Sequence, residues 1–334
     1  MRVFVAGATG AIGRPLIPRL LEAGHEVIAL ARTPEKARAL EEQGVETALA
    51  DAFDPEGVRE AVVGARPEVL VHQLTALPQR MNPRKYAEAL GPTSRLREQT
   101  APYFLAAARE AGARRVIFQS ISFMVAPSGP PVLDETAPVS DDPVARATAA
   151  MERYVTSAEA LEGVVLRYGF FYGPGTWYSP DGFMAELARK RQLAVIGSGE
   201  GRSSFIHVDD AAASTVLAMD HGKPGIYNVT DDEPVPQREW APELARLLGA
   251  RKPLHLPAWL VRLLVGRYFV VMGTQLRGNS NAKARAELGF EPRFPHWREG
   301  FHAVFGGHAS ARQHTHRAVR AQPYVSRHGP ADHP

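Results

Sequence analysis

Residues 1–13, MRVFVAGATGAIG, decide how the rest of the chain is read. A short apolar run over 3–6 has the make-up of a buried strand, and a helical pattern opens at 12. Between them Gly7, Gly10 and Gly13 are spaced GxxGxxG, with Thr9 inside the turn. Glycines there allow a tight reversal and a close backbone approach, and the amides of Ala11 and Ile12 lie at the positive end of the helix dipole. Such a turn receives a pyrophosphate. A plain tight turn has the same spacing, so the context has to decide between the two.

That context is regular alternation. Helix is expected over 12–23, 34–43, 55–63, 94–111 and 144–161, and strand over 26–31, 45–50, 69–73, 115–120 and 164–168. The strands are almost continuously apolar, as in a parallel sheet covered on both faces. The sequence therefore predicts an α/β, doubly wound fold over 1–175. Beyond 175 the alternation loosens, which predicts a smaller substrate lobe over 176–306, with a strand at 226–229 returning to the sheet. The second strand ends at Arg32, where an acid would grip a ribose 2′-hydroxyl and a guanidinium can pair with a 2′-phosphate. NADP is expected over NAD. A solvated arginine at the start of the next helix is the other reading.

Composition excludes several classes. The chain has 334 residues, 45% hydrophobic and 22% charged, and no cysteine, which removes disulfides and thiolate chemistry. Its net charge of +3 belongs entirely to residues 307–334, where Arg312, Arg317, Arg320 and Arg327 face one acid, Asp332. The balanced body argues against nucleic acid as a partner. His308, His314, His316, His328 and His333 crowd the same segment without regular spacing, so it reads as a disordered Arg/His-rich tail and no metal site is expected. The most apolar stretch, 258–272, is interrupted by Arg262 and Arg267 and falls short of a membrane span. It reads as a buried or pocket-lining helix. No membrane partner and a cytoplasmic location are expected.

Several linked motifs over residues 1 to about 301 resemble the extended and atypical short-chain dehydrogenase/reductases of the NAD-dependent epimerase/dehydratase type. GATGAIG is similar to that family's TGxxGxxG, with Ala6 in place of its threonine. Asp51 is similar to the acid that meets the adenine ring, RYGFFYGPG (167–175) to the loop flanking the nicotinamide, and GSGEGRSSFIHVDDAA (197–212) to GxGxxxxxFxHVxDxA. The resemblance implies an NAD(P)-binding Rossmann fold, with Leu74 and Ser120 among the cofactor contacts. It also implies a homodimer through helices 94–111 and 144–161.

The departures concern the chemistry. The family's Tyr-x-x-x-Lys pair supplies the proton, its cation lowering a phenol pKa that is otherwise near 10. Here Val144 and Thr148 hold those places, and none of the nine tyrosines precedes a lysine by four residues. Ser120 and Ser122 both compete for the serine position, with Ile121 between them. Tyr178 is the candidate donor after the sixth strand, ahead of Tyr172. His207 reads as a structural residue before a helix capped by Asp209. The asparagine and arginine of the sugar-nucleotide enzymes are replaced by Phe170 and Ser203. With Phe171, Trp177, Tyr178 and Trp259, Phe170 points to an apolar, aromatic or polyketide-sized small-molecule ligand. Three functions are open: an NADP-dependent oxidoreductase on a small or aromatic carbonyl or alcohol, a non-catalytic NADP-binding sensor, and an epimerase or dehydratase that recycles its cofactor.

Overall fold

The apolar runs pair side by side in a computed structural model that describes residues 1–306. Seven strands form one parallel sheet: β1 (Arg2–Ala6), β2 (Glu26–Ala31), β3 (Glu46–Leu49), β4 (Val69–His72), β5 (Arg115–Ile121), β6 (Glu162–Tyr168) and β7 (Gly225–Val229). Their spatial order is β7, β6, β5, β4, β1, β2, β3. Chain order reverses direction between β1 and β4, which opens a crevice at the carboxyl ends of these strands. The Gly7 turn lies at that crevice.

Alternation along β1 shows why both faces must be covered. Val3 and Val5 pack with Leu16 and Ile17 of α1 (Gly13–Glu22), while Phe4 and Ala6 pack with Val58 and Phe104 on the other face. Next to α1 comes α2 (Pro34–Glu41); the second face carries α3 (Pro55–Ala65), α4 and α5. Helix α4 is a composite rod of Tyr86–Arg95, a π turn Leu96–Thr100 and Ala101–Glu110. It starts before the expected residue 94. Its π turn precedes Pro102, which has no N–H to give the preceding turn.

Helix α5 (Pro143–Thr156) is shorter than expected. A side chain at Gly163 would lie 2.0 Å from the Val155 carbonyl, so β6 runs hard against the end of the helix, and Ala160 takes a positive φ of 60° to make the turn. The sheet is completed by β7, which pairs parallel with β6.

The remaining chain forms α6 (Phe183–Arg189), α7 (Val208–Asp220), α8 (Gln237–Leu247) and several two-stranded pairs, one joining Phe170–Tyr172 to Phe205–His207. Tyr172, Phe205, Trp240, Trp297 and Phe301 make a separate aromatic core there. The expected single helix over 258–272 is instead two, α9 (Ala258–Val265) and α10 (Arg267–Thr274), broken at Gly266 with φ +95°. Nor is α9 buried: Trp259 is 69% and Leu263 77% exposed. No helix of the described residues is long and apolar enough to cross a membrane. The tail at 307–334 lies outside the described residues.

Candidate active site

The glycine turn is tight for steric reasons that can be read directly. Gly7 has φ +101°, and a Cβ on it would stand 2.8 Å from the Gln73 backbone. A Cβ on Gly13 would come within 2.3 Å of the Gly7 and Ala8 carbonyls. The backbone of β1 therefore passes closely under the start of α1, and Gly10 donates its amide to Gly7 (3.0 Å). No side chain caps α1 and no acid sits in its first turn, so its terminal amides meet an anion without competition. Ala11 belongs both to this turn and to the wall of a cavity of about 910 Å³. A dinucleotide would fit this arrangement, with the amides that open α1 holding its pyrophosphate.

The other expected cofactor contacts surround the same crevice. Arg32 is exposed just past β2, and the exposed Asp51 past β3 accepts the Phe53 amide at 2.9 Å. Leu74 is half-buried beyond β4. Ser120 is different. Its hydroxyl is fully buried and donates to Glu152 Oε1 at 2.6 Å. Glu152 in turn takes both Nε (2.8 Å) and Nη2 (2.7 Å) of Arg167, and the two residues are each 3% exposed. The second serine, Ser122, is also fully buried, with a partnerless Oγ, and lies outside the cavity wall.

One and two turns back along α5 from Glu152 are the places where a Tyr-x-x-x-Lys pair would stand. Val144 lines the cavity, and Thr148 is buried beneath it. The Thr148 hydroxyl donates to the Val144 carbonyl and accepts Nη1 of Arg97, each at 2.8 Å. A cation delivered by the π turn of α4 therefore lies against Thr148. Arg97 is 4% exposed and lines the cavity; burial pulls its pKa down to about 10, so it remains protonated at neutral pH. Sequence reading missed it. The available signal was a charged residue in the buried stripe Thr93, Arg97, Thr100 and Phe104 of α4.

The cavity wall is mainly apolar and aromatic. Phe170 stacks on Phe123 with centroids 4.1 Å apart, and Trp177 donates its indole N–H to Pro78 at 2.8 Å. Both line the cavity, as do Phe171 and Tyr178. Trp259, expected with them, is on the exposed face of α9 instead. Tyr178 is packed between Trp240 and Phe205, and burial pushes its pKa well up. Tyr172 is fully buried, with an unpartnered hydroxyl. Among the described residues neither phenol has a cation to make it acidic.

Asp142 was also missed. It caps α5 by accepting the Val144 amide (2.9 Å), lines the cavity and accepts the Tyr86 hydroxyl, whose ring stacks on Tyr268 at 4.1 Å. His207, rather than Asp209, caps α7: its Nδ1 accepts the Asp209 amide at 3.2 Å. Burial lowers its pKa, in keeping with a structural role.

Comparisons with known proteins agree with this geometry. The model of the NAD dependent epimerase/dehydratase family matches residues 3–230. A 3-diazoavenalumate denitrifying reductase from a Streptomyces species is 48% identical over 90% of this chain and 99% of its own length. A 4-hydroxy-2-methyl-3-oxo-4-farnesyl-3,4-dihydroquinoline-1-oxide ketoreductase from Stigmatella aurantiaca is 28% identical over 89% of this chain and 93% of its own. Among solved structures, the Thermus thermophilus UDP-glucose 4-epimerase in complex with NAD superposes with a TM-score of 0.70 at 27% identity, covering 92% of this chain and 98% of that one. The glycine turn, the doubly wound sheet and these matches together place the chain in the NAD dependent epimerase/dehydratase family, as an NAD(P)-dependent enzyme of the oxidoreductase/epimerase kind.

Proposed function

We propose that this enzyme is an NADPH-dependent reductase of an aromatic diazo compound, releasing dinitrogen. One observation carries the reading: the site offers a cavity for an aromatic group but puts Val144 and Thr148 where a proton donor and its activating cation would stand. When bound, the reduced nicotinamide supplies a hydride. An aryl diazonium that gains it becomes arene plus dinitrogen with charge balanced, so no alkoxide is left to protonate. A ketone needs an acid at the position that Val144 fills. The 48% identical relative is named for such a denitrifying reduction.

In this reading Gly7, Thr9, Gly10, Ala11, Ile12 and Gly13 bind the pyrophosphate, Asp51 and Leu74 bound the adenosine end, and Arg32 meets the 2′-phosphate. Ser120 works through the Glu152 network that holds the end of β5, and Ser122 and Tyr178 move no proton. Phe170, Phe171 and Trp177 orient the ring and exclude water, which makes the reaction depend on positioning. Carbonyl reduction is the second reading, supported by the 28% identical ketoreductase; the Tyr86 hydroxyl on Asp142 would be a poor acid for it, because burial and the carboxylate push its pKa up.

The test offers NADPH or NADH with 4-carboxybenzenediazonium or with aromatic ketones. One dinitrogen per NADPH consumed, with deuterium passing from 4-deuterated NADPH into the arene, is the expected result. Turnover of ketones alone would establish the second reading. Arg32→Glu should cut the NADPH over NADH preference about tenfold, or about 1.4 kcal/mol; an unchanged preference would remove Arg32 from the site.

A further inference from the structure

We propose that Arg97 is a substrate-anion receptor, its guanidinium binding an anionic oxygen of the aromatic substrate inside the cavity. The inference rests on the reading above only in taking the substrate to be aromatic. Its main support is a missing partner. Burying a cation is unfavourable unless an opposite charge compensates it, and the other deeply buried arginines are compensated: Arg167 by Glu152 and Arg115 by Glu162, at 2.7 Å each. Among the described residues no carboxylate forms an ion pair with Arg97. The acid whose field reaches it, Glu152, is already engaged by Arg167 and Ser120.

What Arg97 does have is incomplete. Nη1 donates to Thr148, and Nε is buried without any partner. The acids of the cavity wall are committed elsewhere: Glu186 to Arg80 and Lys190, Asp142 to Tyr86 and the α5 cap, Asp181 to Ser179. The cavity wall that Arg97 shares is mostly apolar and includes Val144, Ala145, Ile121 and Leu90. In so apolar a setting an entering oxyanion gains a charge-assisted hydrogen bond with little screening. The ligand class is therefore an aromatic compound with a carboxylate or phenolate oxygen. A neutral aromatic would leave the cation unpaired.

Titration calorimetry on the NADP⁺-saturated full-length protein tests this with three probes: 4-hydroxycinnamate, its methyl ester, and 4-methoxycinnamate. Wild-type protein is expected to bind 4-hydroxycinnamate at least tenfold more tightly than one of the blocked probes. Loss with the ester identifies the carboxylate as the group held, and loss with the ether identifies the phenol. Arg97→Met should erase that difference, Arg97→Lys should keep part of it, and both should bind NADP⁺ within twofold of wild type. If Arg97→Met does not fold, Arg97→Gln is read in the same way. Wild-type protein that fails to discriminate, or a neutral variant that still does, overturns the proposal. A variant that loses NADP⁺ affinity instead assigns Arg97 to the cofactor and also overturns it. None of these readouts needs turnover, so a failed diazo assay and a failed anion site are distinguishable.

Discussion

Two guanidiniums are buried against α5, at residues a single helical turn apart, and their surroundings could hardly differ more. At Arg167 a carboxylate closes two hydrogen bonds of 2.7 and 2.8 Å, and a serine donates to the same carboxylate. At Arg97 there is a threonine hydroxyl, an unpartnered Nε and a cavity. The first arrangement is complete within the chain and serves the fold. The second is complete only with something from outside, and this difference separates a structural buried charge from a functional one.

The comparison can be broken most sharply at Glu152. Glu152→Gln leaves Arg167 as an uncompensated buried charge and should cost about 3–5 kcal/mol, roughly 10 °C in thermal unfolding. A loss near zero would mean that Arg167 is no better satisfied than Arg97.

A smaller effect is expected in acid. His72, stacked on Phe118 at 4.6 Å, has its pKa driven down to about 3 by burial, with Arg97 adding repulsion. The folded protein keeps it neutral while the unfolded chain protonates it below about 6.5. The unfolded state then holds more protons, so stability falls as pH drops from 6.5 toward 3. His72→Leu should flatten that acid limb in denaturant titrations at pH 7, 5 and 4. Arg97→Met should make it shallower, because one cause of the low pKa is removed. An unchanged limb in both variants would disconnect His72 from the Arg97 region.

Smallest of all should be the effect of Arg97→Met on stability at pH 7. Deleting a charge with no ionic partner removes its desolvation cost along with one hydrogen bond, so the net change should stay within about 1 kcal/mol and can be a gain. A loss as large as that of Glu152→Gln would make Arg97 a structural cation and take away the distinction drawn here.

Much of the first half of the fold was legible because local patterns and the global fold agree there. The spacing of Gly7, Gly10 and Gly13 follows from sterics that any such turn must satisfy, and the apolar runs of β1, β2, β4, β5 and β6 reflect burial on both faces, which the edge strand β3 lacks. Residues 258–272 were only partly legible: Tyr268 lines the cavity as a pocket-lining helix would, but the first half of the stretch is exposed. Their apolar composition predicted burial, but Gly266 breaks the helix and leaves Trp259 and Leu263 exposed. Composition does not say which neighbour, if any, covers a helix.

At the site, the resemblance of residues 141–152 to the family's helix is what set Val144 and Thr148 at the Tyr-x-x-x-Lys places, and the sequence has no tyrosine four residues before a lysine. It did not show Arg97 beside Thr148, 51 residues away in the chain. Helical periodicity places a residue on a face, whereas the charge balance of a buried group depends on which other elements pack there. Sequence alone thus determined the glycine spacing of the first turn, the parallel sheet and the lack of any Tyr-x-x-x-Lys string, all set by local pattern. Only the tertiary structure decided that Glu152 goes to Arg167 and leaves Arg97 facing the cavity, because pairing of buried charges is settled by distances across the fold.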